Sequence, residues 1–102
     1  MIVVRFVFQT KWGQIQQVVD EFKKYNEPMK RVLGPDVKIR VLTDLSGPFH
    51  TLVQEFEVES LAEWERARAE MFSMPEMQDS GGGENPFESG SLEFYTLEYS
   101  AQ

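Results

Sequence analysis

Residues 36–64 read DVKIRVLTDLSGPFHTLVQEFEVESLAEW, and this stretch decides the fold. From Asp36 to Asp44, Val37, Ile39 and Val41 alternate with Lys38, Arg40 and Leu42, the two-residue period of a strand. Leu45-Ser46-Gly47-Pro48 is turn chemistry, and a second run continues to Val58, so the two runs form a hairpin. In the returning strand Leu52, Gln54, Phe56 and Val58 share one side, while Thr51, Val53, Glu55 and Glu57 share the other. Ser60-Leu61-Ala62-Glu63 then has the form of a capping box, in which serine and glutamate satisfy each other's orphan backbone amides, so a helix begins at once. Its apolar stripe is Leu61, Trp64, the stem of Arg68, Met71 and Phe72, and Pro75 stops it.

Before the hairpin lie one strand and one long helical pattern. Ile2 to Gln9 is rich in Val and Phe with no helical spacing, as in a central strand buried on both sides. Ile2, Val4, Phe6 and Phe8 take one face; Val3, Arg5, Val7 and Gln9 take the other. From Gly13 to Leu33 the apolar residues Ile15, Val18, Val19, Phe22, Tyr25, Met29, Val32 and Leu33 recur at three- and four-residue steps, and Gly34-Pro35 closes the helix. Pro28 lacks the amide that would bond back to Lys24, which predicts a kink or break near Asn26 to Pro28.

After the second helix, residues 74–90 turn to Gly, Ser, Asn, Pro and acidic side chains, including Gly81-Gly82-Gly83, and read as a mobile loop. No lysine follows the glycines, so this is no phosphate-binding loop. Ser91 to Tyr99 alternates again and reads as a closing strand.

Strand, helix, hairpin, helix, strand is the β-α-β-β-α-β order of an α+β ferredoxin-like domain, and residues 1–102 make one such domain. Right-handed crossovers put both helices on one face of a four-stranded antiparallel sheet. The opposite face would then expose Val3, Val7, Leu42, Val53, Tyr95 and Tyr99, a larger apolar patch than monomers leave in water. A second copy packed sheet to sheet would bury on the order of 1,500 Å², so a symmetric homodimer is expected.

Composition narrows the partners. The chain has 102 residues, 41% of them hydrophobic and 13% aromatic, enough for one modest core. Seventeen acidic against ten basic residues give a formal charge of −7, which disfavours nucleic acid and anionic membranes. Without cysteine there is no thiol nucleophile or zinc–thiolate site, and MIVVRFVFQT lacks the apolar run of a signal peptide, so a soluble cytoplasmic protein is expected.

The element order, the hairpin Val41 to Pro48 and the sequence Glu57 to Trp64 leading into the second helix resemble the dimeric α/β-barrel superfamily. That superfamily includes antibiotic-biosynthesis-type monooxygenases, stress-responsive barrel proteins and NIPSNAP-like proteins. The resemblance covers nearly the whole chain through pattern and carries no catalytic signature, so it implies fold and dimer more than reaction. Its haem-degrading branch implies an axial histidine on a helix. Neither predicted helix has one, and no cofactor or metal is expected.

Five residues are candidates for a ligand pocket: Arg5, His50, Glu55, Trp64 and Tyr95. Arg5 sits mid-strand among apolar residues, where an unpaired charge costs several kcal/mol, so Glu55 or Glu57 of the neighbouring strand is its expected partner, with Arg40 extending the network. His50 is the sole histidine, at the start of the third strand. Trp64 reads as a core anchor or a pocket wall, alongside Phe6, Phe8 and Phe94. Two functional readings follow: a small-molecule-binding or interaction module, or a cofactor-independent monooxygenase- or isomerase-like enzyme acting on a small aromatic or polyketide-like substrate. They differ in whether a cavity exists and whether polar groups converge in it.

Overall fold

The computed structural model describes residues 1–75 and 86–101. The elements run β1 (Ile2–Thr10), α1 (Ile15–Lys24), α2 (Asn26–Leu33), β2 (Arg40–Thr43), β3 (Thr51–Val58), α3 (Leu61–Ser73) and β4 (Phe87–Thr96). The sheet order is β2-β3-β1-β4, and every neighbouring pair is antiparallel. This is the α+β ferredoxin-like arrangement predicted from the order of strand and helix patterns.

The long helical pattern of residues 13–33 is divided in two. α1 ends at Lys24, Tyr25 is its cap, and α2 restarts at Asn26 with Pro28 in its first turn, where proline costs no intrahelical bond. Pro28 is itself buried, so the break serves packing as well as backbone chemistry.

Core packing follows the period-two faces of the strands. Val4, Leu52, Gln54, Phe56 and Val58 point at the helices and are buried, joined by Met29 and Val32 of α2 and by Trp64, Ala67 and Met71 of α3. The predicted stripe omits Ala67 because alanine carries little hydropathy signal. It lets α3 approach the sheet closely, while Leu61 and Phe72, both in that stripe, are exposed.

Four local expectations are corrected. β2 spans only Arg40–Thr43, because Val37 and Ile39 pack on the core from irregular backbone. β4 begins at Phe87, before the predicted Ser91, and ends at Thr96, before Tyr99. Pairing with β1 outweighs the poor strand propensity of Glu88-Ser89-Gly90. The capping box is half formed: Ser60 Oγ accepts from the Glu63 amide at 3.1 Å, but the Glu63 carboxylate is drawn to Arg66 one turn on. The glycine triplet 81–83 and most of the predicted loop lie outside the described residues.

Candidate functional site

Two surfaces of the sheet carry possible chemistry. On the helix side, β1, β3, β4 and the three helices leave a cavity of about 290 Å³. Phe6, Phe8 and Phe22 form one wall and Trp64 and Met71 another, with Leu92 at the β4 edge. Phe6 and Phe8 lie parallel at 5.9 Å with 6° between their planes, and Trp64 meets Phe6 edge-on at 5.9 Å. Such a lining suits a flat apolar molecule.

Among the described residues lining the cavity, two side chains are polar. Gln54 is 7% exposed, and its Nε2 donates to Met29 Sδ at 3.5 Å, a weak acceptor. Arg68 stands at the mouth, its guanidinium carbon 5.4 Å from the centre of the Phe72 ring. Sequence reading places neither in the pocket. Gln54 is legible as the one polar residue on an otherwise apolar strand face, and that is the available signal.

The opposite face is open. Cross-strand register sets Arg40, Glu55, Arg5 and Glu93 in one line across β2, β3, β1 and β4, alternating in charge. Arg40 Nε lies 3.3 Å from Glu55 Oε1, and Arg5 Nε lies 3.7 Å from Glu93 Oε1. Arg5 thus pairs with Glu93 of β4, where Glu55 or Glu57 was expected. Glu55 is beside Arg5 in register, but Arg40 draws its carboxylate the other way. Glu93 also accepts from Tyr95 Oη at 2.9 Å, and this bond raises the Tyr95 phenol above its ordinary value. The flanking row is apolar over three strands, with Leu42, Val53 and Val7 side by side, and ends at Ser91 of β4.

Of the five candidate residues, Arg5, Glu55 and Tyr95 share this open face, Trp64 lies across the sheet in the cavity wall, and His50 stands apart from both. His50 belongs to the turn before β3, one residue ahead of the strand start assigned to it. Its carbonyl accepts from Thr10 N at 2.8 Å and Thr10 Oγ1 at 3.1 Å, and its φ is 60°. Its ring stands edge-on to Trp12 at 4.6 Å, and its Nε2 is buried without a hydrogen bond. The structure does not gather the five into one pocket.

Among the described residues no cluster of three or more His, Cys, Asp or Glu is placed to hold a metal ion, and no helix is long and apolar enough to cross a membrane. The cavity lining contains no imidazole, so it lacks the proximal histidine by which many proteins hold haem iron.

No protein-family model matches the sequence, and no curated protein matches it. Solved structures do match the fold. A NIPSNAP-domain protein from Burkholderia xenovorans superposes with a TM-score of 0.79 at 13% identity, covering 100% of each chain. A mutant of MhuD with two manganese protoporphyrin IX molecules bound per active site gives 0.76 at 12% identity, covering 100% of this chain and 99% of that one. An antibiotic biosynthesis monooxygenase gives 0.65 at 12% identity, covering 94% and 97%. The chain therefore shares its ferredoxin-like fold with a NIPSNAP-domain protein and an antibiotic biosynthesis monooxygenase.

Proposed function

We propose that the protein is a small-molecule-binding module that holds a flat aromatic or apolar ligand in the cavity between sheet and helices, and that it acts as a homodimer joined through the open face. The cavity carries this reading. Its volume, about 290 Å³, is near the lower limit of ligand pockets and suits a molecule of one or two rings. Binding is favoured over catalysis by the polar groups available. Among the described lining residues the polar groups are the Gln54 amide and the Arg68 guanidinium, and neither is a carboxylate or imidazole that could serve as a general base.

Arg5, His50 and Glu55, the polar groups that could orient a ligand or move a proton in the enzyme reading, are not among the residues lining this cavity. The dimer is supported by the open face, which no helix covers and on which Leu42 and Tyr95 are exposed beside the half-buried Val7. A cytoplasmic location accords with the acidic, cysteine-free composition.

Binding is testable with Trp64 as reporter. Trp12 is 82% exposed, so Trp12→Phe leaves Trp64 as the remaining indole. Titration with two-ring aromatics such as 2-naphthol should quench its fluorescence and raise the melting temperature, a ligand at 100 times its Kd adding about 2.7 kcal/mol. A panel of such compounds that moves neither signal refutes the reading.

A further inference from the structure

We propose that the row Arg40, Glu55, Arg5, Glu93 sets the geometry of the dimer: the two-fold axis runs parallel to the strands between β3 and β1, so that Arg5 meets Glu55 of the second copy and Arg40 meets its Glu93. The inference rests on the dimer reading above and adds an orientation and register to it.

Across β2, β3, β1 and β4 the row reads plus, minus, plus, minus, so it changes sign about its midpoint. Rotation about an axis along the strands through that midpoint lays each position over its mirror position. Plus falls on minus throughout. Rotation about the perpendicular in-plane axis lays each charge over its own copy, putting Arg5 on Arg5 and Glu55 on Glu55. Like charges juxtaposed across an interface disfavour association strongly, so the two arrangements differ greatly in free energy. The favoured one also seats Val7 over Val53 of the second copy, apolar on apolar, and brings the β2 edge of each sheet to the β4 edge of the other.

A second observation points the same way. Arg5 Nε is buried yet makes no hydrogen bond within the chain, its nearest carboxylate oxygen standing at 3.7 Å. The Arg5 side chain is nonetheless 41% exposed on the open face, where a carboxylate of a second copy can reach it. Within the chain Glu55 leans toward Arg40 and Glu93 also accepts from Tyr95, so a carboxylate from above the sheet completes the set. Sheets packed face to face lie about 10 Å apart, a gap that an arginine and a glutamate span together.

The test is charge reversal in two separate chains. Arg5→Glu sets a carboxylate against Glu55 of the second copy, and Glu55→Arg sets a second guanidinium against its Arg5. Each variant alone should weaken self-association about 100-fold or more. Mixed in equal amounts they should form a one-to-one heterodimer, read by native mass spectrometry, with circular dichroism reporting the fold of each. If either reversal fails to fold, Arg5→Met and Glu55→Gln replace them, and their effects on the dimer dissociation constant should be coupled in a double-mutant cycle. Homodimers of undiminished affinity, a mixture that stays monomeric, additive neutral variants, or an Arg5→Met dimer tighter than the parent would each overturn the axis assignment. A parent chain that is monomeric at every concentration tested would remove the dimer itself, a separate failure.

Discussion

The ring of Phe8 packs against Gly90, its cross-strand partner: a β-carbon at residue 90 would come within 2.8 Å of Phe8 Cδ1 and 3.1 Å of Cε1. Phe8 is held in place by Phe87 at 4.6 Å, by Phe22 at 5.8 Å and by Phe6 at 5.9 Å. The bare backbone at Gly90 is therefore a packing surface for the cavity wall.

Gly90→Ala should destabilise the fold by about 1–3 kcal/mol, the usual cost of overpacking, because the Phe8 ring packs against Phe87, Phe22 and Phe6 and can yield only into the cavity. Urea unfolding checks it. An unchanged midpoint would show that the ring swings aside at little cost.

Trp64→Ala should cost about 3–5 kcal/mol, as expected for a large aromatic removed from a core. The indole is 5% exposed and touches Phe6, Phe56 and Phe94 at centroid distances of 5.9, 5.7 and 6.1 Å. Trp64→Phe should retain more of the stability while weakening quenching by aromatic ligands. A loss below about 1 kcal/mol for the alanine variant would mean that the helix and sheet close over the gap.

Local and period-two signals explain how far the sequence alone could be read. The strand faces, the break at Pro28 and the Ser60 cap were legible, because each depends on residues within one turn or one alternation. The choice among partners was not. Arg5 stands between Glu55 and Glu93 in register, and the Arg40 side chain, on a strand not adjacent to Arg5, decides between them by claiming Glu55. The cavity was invisible for the same reason: Gln54 and Arg68 meet there only through the tertiary packing of α3 on β3.

Ser60→Ala should cost about 1 kcal/mol, the usual worth of an N-cap, since Ser60 Oγ accepts from the Glu63 amide. Thermal unfolding of the variant measures it. With the Glu63 carboxylate committed to Arg66, no reciprocal bond remains to soften the loss.

Acid should loosen the first turn of α3. The hydrogen bond from Arg66 holds the Glu63 carboxyl below its ordinary value of 4.5, with the charge of Arg66 adding to the effect. A carboxylate whose pKa is lower folded than unfolded adds stability above pH 4.5, and that stability is lost as pH falls through the folded value. The pair is at the surface, so the effect is small. Carboxyl-carbon NMR titration should place Glu63 below 4.5 in the parent and return it toward 4.5 in Arg66→Gln; an unmoved midpoint would rule out Arg66 as the cause.

Arg5→Ala should respond to protein concentration. The Arg5 side chain is 41% exposed and its nearest carboxylate contact is at 3.7 Å, so in a dilute monomer its loss should cost about 1 kcal/mol or less, as for other exposed ion pairs. The burial assumed from sequence pointed to several kcal/mol, but an apolar strand face left open to solvent screens the charge. Once a second sheet covers that face, truncating one member of a desolvated pair costs about 2–5 kcal/mol. The gap in melting temperature between parent and variant should therefore widen as concentration rises through the dimer dissociation constant. A gap that stays constant across that range would place Arg5 outside any interface.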